Sequence, residues 1–331
     1  MAEESNRAKG KQMKILVLRF SSIGDIILTT PILRCIKNQR NDIELHFLTK
    51  QSFVFLLEAN PHLDRLHAFE KDIDEVVESI KKHQFDLIID LHNNLRSKRL
   101  IKALQTKAVS FPKLNLQKAI ATLLKYTSIL PKVHIVDRYF ETVKCLGIHN
   151  DGKGLDYFIP ESDQINVYHR FPQLGNASFV AVVAGGSYFT KQIPNGLLDE
   201  FITRSPLPVV LLGDNKDKIK IEPLLDKHPH LINACGELSF HQSAAVLQQA
   251  QYVVSSDTGL MHVAAAFKKR IVSVWGNTVP EFGMDPYLPA PESRIVQVEH
   301  LKCRPCSKLG FNECPAGHFK CMNLIKADQL K

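Results

Sequence analysis

Asp25 is a carboxylate in an unusual position, within the polar stretch RFSSIGDIILTTP that directly follows the apolar run KILVL. Gly24 permits a tight turn from a strand into a helix, and the first turn of a helix has backbone N–H groups without partners inside the helix. One interpretation is that Asp25 takes part in chemistry, with two serine hydroxyl groups and an arginine beside it. The other is that Asp25 is only a helix-start residue and that Ser21 or Ser22 caps the helix. The loop by itself leaves both interpretations open.

A second loop, AGGSYFTKQIP, follows the apolar run FVAVV and combines glycines with a hydroxyl group and a lysine. Glycines such as Gly186 let backbone N–H groups approach a phosphate closely, while Ser187 offers a hydroxyl group and Lys191 a positive charge. The spacing matches neither the dinucleotide fingerprint nor the P-loop. The stretch is therefore also compatible with a glycine-rich turn that carries a solvated lysine.

A third loop, GDNKDK, follows the run PVVLL and contains Asp217. Acidic residues accept hydrogen bonds from ribose hydroxyl groups in other nucleotide-binding folds. The alternative is an acidic residue in the first turn of the next helix, where the helix dipole stabilises a negative charge.

The fourth loop, SSDTGLMHVAAA, places polar groups at the end of the run YVV and at the start of a helix that is otherwise small and apolar. Such a helix start can hold a diphosphate through its backbone N–H groups and the Thr258 hydroxyl group. Asp257 is suited to bind sugar hydroxyl groups, and His262 lies one turn into the helix. A histidine in this position is either a ligand or a core residue whose hydrogen bonds are satisfied.

The C-terminal stretch LKCRPCSKLGFNECPAGHFKCM contains four of the seven cysteines of the chain. A C-x₂-C pair followed by two more cysteines is typical of a structural zinc site, with Cys303, Cys306, Cys314 and Cys321 as ligands. The alternative is a group of reduced thiols, which a cytosolic protein permits. We expect no catalytic metal in either case.

The composition is that of a globular protein: 331 residues, enough for two domains, of which 44% are apolar and 23% charged. No apolar run approaches the roughly 20 residues that a membrane-spanning helix needs. The polar N-terminus argues against a secretory signal. We therefore expect a cytoplasmic protein, with residues 1–12 as a flexible tail.

The net charge of +8 favours an anionic partner. We do not expect that partner to be nucleic acid, because aromatic residues are not interleaved with the basic ones and no zinc-finger or RNP pattern is present. The alternative is a surface that is basic without a dedicated partner.

Short apolar runs alternate with stretches of helical spacing, among them FVFLLEAN, KAIATLLKYTSIL and DRYFETVKCLGI, through most of the chain. The alternation predicts an α/β fold with doubly wound parallel sheets. Residues 150–176 interrupt the alternation and form a candidate hinge. The predicted domains are 13–160 and 161–331, the second of which carries the cysteine-rich segment. Ligands of open α/β sheets bind outside the carboxyl ends of the strands, and the four loops above all follow predicted strands.

Taken together, these loops resemble those of glycosyltransferase family 9, the ADP-heptose:lipopolysaccharide heptosyltransferases. The resemblance runs from Met13 to about Met322, and its strongest carriers are LRFSSIGDIILTTP and VVSSDTGLMHVAAAFKKRIVSVWGNT. It implies the GT-B fold, with two Rossmann-like domains facing across a cleft. The first is the acceptor-side domain and the second binds the nucleotide sugar.

The resemblance also implies roles for individual residues. The aspartate of the family's S-x-G-D turn, here Asp25, is the general base, and Ser22 and Gly24 form the acceptor-side loop around it. The implied donor-binding residues are the phosphate-binding Gly186, Ser187, Lys191, Thr258 and Gly259, the ribose carboxylate Asp217, Leu238 in the adenine pocket, and Asp257 and His262 at the sugar and its phosphate. The chain departs from the family pattern in two places, since KQIP puts Ile193 where members often have tryptophan, and Gly186 and Ser187 replace paired threonines.

The implied activity is inverting transfer of a heptose-like sugar from a nucleotide-sugar donor, with ADP-heptose as the expected donor. The implied acceptor is an anionic glycolipid of the lipid A–core type, reached by peripheral contact with the inner face of the cytoplasmic membrane. No cofactor is required for this reaction. The alternatives are a sugar-nucleotide epimerase or hydrolase on the same fold, and a non-catalytic basic nucleotide-binding protein.

Overall fold

The computed structural model of the protein describes residues 12–331. Apart from Gln12, the predicted tail over residues 1–12 lies outside the described residues. The chain forms two compact units. The N-terminal unit comprises the described residues up to Lys113 together with Val136–Asp151, and the C-terminal unit comprises Leu114–Ile135 together with Gly152–Lys331.

The described residues contain two parallel sheets connected by helices, as the alternation of apolar runs and helical stretches predicts. The strands are β1 Met13–Leu18, β2 Ile43–Lys50, β3 Arg65–Phe69, β4 Leu87–Asp90, β5 Ala108–Ser110, β6 Val180–Val183, β7 Val209–Leu212, β8 Ile232–Asn233, β9 Tyr252–Ser256, β10 Ile271–Trp275 and β11 Arg294–Gln297. The helices are α1 Ile23–Ile27, α2 Thr30–Gln39, α3 Asp74–Lys81, α4 Leu95–Leu104, α5 Asn115–Leu124, α6 Ile135–Phe140, α7 Val167–Arg170, α8 Asn195–Arg204, α9 Asn215–Leu225, α10 Phe240–Gln249, α11 Gly259–Ala266 and α12 Lys320–Asn323.

The sheet of the N-terminal unit has the strand order β3-β2-β1-β4-β5. Its central strand β1 pairs with β2 and β4 in parallel, so that Leu16 lies beside His46 on one side and Ile88 on the other. Helices on both faces bury the central strands, and all four residues of β4 are buried. Continuous apolar runs such as LIID are the sequence signature of strands covered on both faces.

The sheet of the C-terminal unit has the strand order β11-β10-β9-β6-β7-β8. The chain moves outward from β6 to β7 and β8, then returns to the other side of β6 with β9 and continues outward to β11. The order therefore reverses between β6 and β9, and the connections from these two strands run to opposite sides of the sheet. In open α/β sheets this reversal point is where ligands bind.

The core of the C-terminal unit extends from this sheet to the chain terminus, and it includes Val182, Val254, Met322 and Leu330. Ile193, which replaces the tryptophan expected from the family pattern, is fully buried in the same core. The replacement therefore fills a core position, and Pro194 directly after it is the N-cap residue of α8.

Two predicted helices are shorter than expected. The stretch FVFLLEAN forms only a 3₁₀ helix over Gln51–Leu56, because its aromatic and β-branched side chains have low helix propensity. The stretch DRYFETVKCLGI divides into α6 and a 3₁₀ helix over Lys144–Leu146, which ends at Gly147 with a φ of 70°.

The segment Leu114–Ile135, which the order of elements suggested for the N-terminal half, packs with the C-terminal unit. Its Ala121 and Leu130 are buried against Val279 and Phe282. The predicted domain boundary at residue 160 and the hinge at 150–176 stay predictions. Within residues 12–331, no helix has both the length and the apolar character required to span a membrane.

Candidate functional site

Asp25 lies in the first turn of α1, just beyond the carboxyl end of β1. Ser22 is the N-cap residue of this helix, and its hydroxyl group donates a hydrogen bond of 2.8 Å to Asp25 Oδ2. The backbone N–H group of Ser22 donates to the same oxygen at 3.2 Å. The helix-start geometry predicted as one alternative is thus present, and the other oxygen of the carboxylate has a different partner.

Arg19 is that partner, and its Nη2 atom lies 2.6 Å from Asp25 Oδ1. The guanidinium group is fixed by further bonds, since Nη1 donates to the Leu91 carbonyl oxygen at 2.6 Å and to the Tyr139 hydroxyl group at 3.2 Å. The Arg19 side chain is 9% exposed and that of Asp25 is 18% exposed. A buried arginine with a fixed geometry holds a carboxylate in one orientation.

Asp25 stays negatively charged although it is largely buried. Burial alone acts to raise the pKa of this carboxyl group, but the Arg19 charge and the bonds from Ser22 outweigh it and hold the pKa below its ordinary value. The side chain is therefore a carboxylate at neutral pH.

Two further side chains near Asp25 were not predicted from the sequence, and both come from loops after other strands. His92 follows β4, is 8% exposed and has no hydrogen-bond partner for Nδ1 among the described residues. Burial and the charges of Arg19 and Lys113 lower the pKa of His92 to about 3. Burial and the Arg19 charge also lower the pKa of Lys113, which follows β5. Inspecting the HNN sequence after β4 would have identified His92 by the same rule that identified the other loops.

Asp90, the last residue of β4, holds this part of the site in place. It is fully buried, and its carboxylate accepts hydrogen bonds from the backbone N–H groups of His92 at 3.0 Å and Asn93 at 2.7 Å. It also accepts a bond of 2.7 Å from Ser97 Oγ at the start of α4. The loop that carries His92 is therefore fixed to the end of its strand.

In the C-terminal unit, the loops after β6 and β9 meet at the point where the strand order reverses. Lys191 Nζ lies 2.6 Å from Asp257 Oδ2, and the two side chains are 16% and 14% exposed. Thr278, from the loop after β10, donates a 3.2 Å hydrogen bond to the same carboxylate oxygen. The Ser256 hydroxyl group donates to the Gly185 carbonyl oxygen at 3.3 Å. The structure thus brings together residues that the sequence suggested from separate loops.

Asp217 lies under the same loops, but as a buried helix-start residue. It is 6% exposed, and its Oδ2 atom accepts a 2.9 Å hydrogen bond from the N–H group of Asp214, the N-cap residue of α9. A Cβ atom on Gly185 would lie 1.9 Å from Asp217 Oδ2, so any other residue there would have to displace this carboxylate. Burial raises the pKa of this carboxyl group. Its predicted contact with ribose stays a prediction.

Thr258 is the N-cap residue of α11, and no described side chain caps this helix start. The Thr258 hydroxyl group lies 3.2 Å from Ser255 Oγ, while Gly259 is the first helical residue. Ser187 is exposed in the loop after β6. The α11 N–H groups, the Lys191 ammonium group and these hydroxyl groups are the chemical types that bind a diphosphate.

Two other predicted residues occupy different environments. His262, within α11, is 2% exposed, which is the burial expected of a core histidine. Leu238 is half-buried and precedes Ser239, the N-cap residue of α10. Contacts of these two residues with a sugar phosphate and with adenine stay predictions.

The four C-terminal cysteines are close enough to influence one another's charge. Burial and neighbouring thiols raise the pKa of Cys306, and burial raises that of Cys321 to about 12. The backbone N–H group of Phe319 donates to Cys314 Sγ at 3.3 Å. Burial favours neutral thiols in the absence of a metal, whereas zinc binds thiolates. Zinc binding by these cysteines stays a prediction.

The chain was compared with known proteins after this geometry was established. The family model for glycosyltransferase family 9 (heptosyltransferase) matches residues 73–315. Lipopolysaccharide heptosyltransferase 1 of Campylobacter coli is 22% identical over 80% of this chain and 84% of its own length. Lipopolysaccharide heptosyltransferase 3 of Escherichia coli is 20% identical over 77% of this chain and 81% of its own length.

Solved structures show the same fold. A glycosyl transferase of family 9 from Veillonella parvula superimposes with a TM-score of 0.73 at 19% identity, covering 87% of both chains. The E. coli heptosyltransferase WaaC with ADP superimposes with a TM-score of 0.65 at 18% identity, covering 96% of this chain and 97% of the other. The predicted GT-B fold is confirmed.

The family model covers well over half of the chain, and it includes the loops after β4, β6, β7 and β9 that carry most of the residues described above. The chain therefore belongs to glycosyltransferase family 9, the heptosyltransferases, and is a glycosyltransferase.

Proposed function

We propose that this glycosyltransferase moves a heptose from ADP-heptose to the inner core of lipopolysaccharide, with inversion at the anomeric carbon. The observation that carries the proposal is the convergence of Lys191, Asp257 and the uncapped start of α11 at the reversal point of the second sheet. A site of that composition suits a sugar joined to a diphosphate. Membership of family 9 supports the heptose, and adenine is the base expected from the family resemblance.

Asp25 is the proposed general base. A carboxylate offers about four lone-pair sites, and three of them are occupied by Arg19 and by the two Ser22 donors. The remaining site is on Oδ1, and we assign it to the acceptor hydroxyl group. The acceptor oxygen forms a bond to the anomeric carbon while its proton passes to Asp25, and the bond from that carbon to the diphosphate oxygen breaks.

The leaving diphosphate gains negative charge as this bond breaks. Lys191 supplies a positive charge, and the N–H groups at the start of α11 supply oriented dipoles for that charge. Before the donor binds, Lys191 pairs with Asp257. When the donor binds, the Lys191 ammonium group would contact both the Asp257 carboxylate and a phosphate. The Asp257 carboxylate could then also accept hydrogen bonds from sugar hydroxyl groups.

The acceptor is proposed to be an anionic glycolipid of the lipid A–core type. Arg19, Lys113, Arg96 and Lys98 all contribute positive charge around Asp25 and His92, which favours a substrate that carries phosphate or carboxylate groups. We place the enzyme at the inner face of the cytoplasmic membrane, in peripheral contact. Helix α5 supports this contact because Leu116, Leu123 and Leu124 on it are 71%, 79% and 62% exposed.

The C-terminal cysteines are proposed to hold a structural zinc ion rather than a catalytic one. Four sulfur donors, the ligand type that zinc prefers, are supplied by Cys303, Cys306, Cys314 and Cys321. In the described part of the chain, no three of these sulfur atoms lie within 4.8 Å of one another, so zinc binding would deprotonate the thiols and draw them together. The transfer described above requires no metal.

The function is tested by incubating the full chain with ADP-heptose and a lipid A–core acceptor that lacks the heptose. Mass spectrometry should show an acceptor heavier by one heptose, together with ADP. The same reaction without acceptor should leave ADP-heptose intact, and turnover there would indicate an epimerase or hydrolase. UDP-, GDP- and CMP-sugars serve as the control panel in a thermal-shift assay, because a ligand raises Tm in proportion to the logarithm of its concentration relative to Kd. A larger shift with one of these than with ADP-heptose would contradict the proposed donor.

A further inference from the structure

Three histidines form a compact cluster in the N-terminal unit, away from the loops that carry Asp25. His46 lies on β2, His67 on the neighbouring strand β3, and His83 in the turn between α3 and β4. The ring centroids are 5.1 Å apart for His46 and His67, and 5.0 Å apart for each of the two pairs that include His83. One ring nitrogen from each histidine lies within 4.8 Å of the other two, a grouping found for no other set of His, Cys, Asp and Glu side chains among residues 12–331.

The pairing of the strands explains why the first two rings meet. In the register of β2 and β3, His46 lies opposite Arg65 and His67 lies opposite Leu48, so the two histidines are diagonal neighbours on one face of the sheet. The turn before β4 brings His83 over the same face. Phe85 forms an apolar side of the cluster, with its ring centroid 4.9 Å from that of His46.

Glu44 orients the most buried of the three rings. Its Oε1 atom lies 2.8 Å from His46 Nε2, so the ring carries its proton on Nε2 and donates it to the carboxylate. The other nitrogen, His46 Nδ1, therefore presents a lone pair, and it lies 2.8 Å from His67 Nε2. A carboxylate that fixes the tautomer of a histidine in this way is the usual outer support of a metal-binding imidazole.

We propose that His46, His67 and His83 bind a zinc ion, with His46 Nδ1 and His67 Nε2 as two of the ligands and Glu44 as the supporting carboxylate. Imidazole nitrogens coordinate zinc at about 2.0–2.1 Å, which places two tetrahedral ligands about 3.3 Å apart. The gap between His46 Nδ1 and His67 Nε2 must therefore widen by about 0.5 Å. The proton between the two nitrogens moves from Nε2 to Nδ1 of His67, so the ring of His67 stays neutral.

The surroundings of the cluster favour neutral rings, which are the form that binds metals. Burial lowers the pKa of all three histidines, and together with the other two rings it brings the pKa of His67 to about 4. Lys14 and Arg65 add positive charge nearby, and Glu44 partly offsets it because it lies 3.7 Å from Lys14 Nζ and 3.6 Å from Arg65 Nε.

The position of the cluster points to a structural role. The ion would join β2, β3 and the turn before β4, and it would add to the backbone pairing of β2 with β3 and to the ion pair between Glu44 and Arg65. The turn before β4 lies at the amino end of that strand, whereas Asp25 and His92 follow the carboxyl ends of β1 and β4.

The test uses the full chain without an affinity tag, stripped of metal by a chelator and titrated with Co²⁺ as a spectroscopic substitute for zinc. Cobalt at the histidines should contribute visible d–d bands only, whereas cobalt at the C-terminal cysteines would add a thiolate-to-cobalt charge-transfer band. In a chain that also carries Cys303→Ser and Cys306→Ser, the d–d bands should be lost on adding His83→Gln, whose side chain is only half-buried, and binding should weaken about 10–100-fold on adding Glu44→Gln. His169→Gln, which changes an exposed histidine of the C-terminal unit, should bind as the wild type does.

A Cys303→Ser/Cys306→Ser variant distinguishes cobalt bound at the histidines from cobalt bound at the cysteines. This variant should retain the d–d bands of the histidine site. Zn²⁺ should raise the Tm of the wild type more than that of His83→Gln, with circular dichroism confirming that both are folded. Equal cobalt affinity with and without His83→Gln, measured in the Cys303→Ser/Cys306→Ser background, would overturn the proposal. So would a spectrum in which every band disappears with the two serine substitutions.

Discussion

The Asp25 carboxylate illustrates how a single side chain combines helix capping with readiness for chemistry. Its two oxygens are bound by Arg19 and Ser22, which fix its orientation and keep it ionised. As the proposed base, Asp25 is ionised at neutral pH and needs no prior deprotonation, although its low pKa makes it a weak base. Its contribution must then come from position more than from basicity.

Replacing Asp25 with asparagine should lower kcat by about 10²–10⁴-fold, the range for loss of a general base. The amide keeps the shape of the side chain, so the Kd for ADP should change little, as isothermal titration would show. Asp42→Asn removes an exposed carboxylate paired with Arg40 and is the matched control. A kcat in Asp25→Asn equal to that of the control would remove Asp25 from the mechanism.

Arg19 should set the acid limb of the pH–rate profile. Its charge lowers the pKa of Asp25 in the folded enzyme. Activity is therefore present above that lowered pKa and is lost as pH falls through it. In Arg19→Gln the effect of burial remains without the opposing charge, so the acid limb should move to higher pH. Arg19→Lys keeps a positive charge and should return the acid limb part of the way to its wild-type pH. Arg40→Gln, which removes an exposed arginine, should leave the profile unchanged. An unmoved limb in Arg19→Gln would assign it to another group.

Among the elements, the loop after β6 and the loop after β9 are joined by the ion pair between Lys191 and Asp257. Lys191→Met keeps the aliphatic stem and removes the charge. The Kd for ADP should rise about 10–100-fold, since hydrogen bonds to charged groups contribute about 1.5–3 kcal/mol. Lys227→Met, which removes an exposed lysine paired with Asp199, is the control. Titration calorimetry that gave the same Kd for both variants would show that Lys191 does not contact the diphosphate.

Gly185 connects the loop after β6 to the start of α9. In Gly185→Ala the new methyl group would meet the Asp217 carboxylate, so the midpoint of urea unfolding should fall by the equivalent of about 1–3 kcal/mol. Gly196→Ala is the matched control, because a Cβ atom there has no neighbour within 4 Å and alanine favours the helix α8. The idea of close packing at Gly185 would be wrong if both variants unfolded at the same urea concentration.

The sequence predicted the sites of Asp25, Lys191 and Asp257 because each follows an apolar strand, and strand ends in parallel sheets are local features of the chain. It did not predict that His92 and Lys113 lie near Asp25: the strand-end rule would have identified His92 as a loop residue, but its proximity to Asp25, like that of Lys113, depends on the sheet order. The sequence also did not predict the close contact of Asp217 with Gly185, because a glycine in a sequence does not show which neighbouring group occupies the space beside it. The periodicity of α5 gave its apolar face but not the unit against which it packs.

For the molecule as a whole, the net charge of +8 and the apolar side chains of α5 suggest binding to anionic membranes. Binding to vesicles with anionic lipids should be measurable by sedimentation and should weaken as salt rises. Leu123→Glu should weaken it about 10–100-fold, because burying a leucine side chain contributes about 1.5–3 kcal/mol. Leu309→Glu, which changes another exposed leucine, is the control. Equal vesicle binding by the two variants would exclude α5 from the contact.

The chain passes between its two units three times, after Lys113, after Ile135 and after Asp151. A gene fragment that encoded only residues 152–331 would thus lack the partners of Val279 and Phe282, and would leave an apolar patch uncovered. Separate expression of the halves calls for a different dissection, in which residues 114–135 are fused through a linker to the later fragment. Foreign sequences and new termini should likewise be placed away from the three points at which the chain crosses between the units.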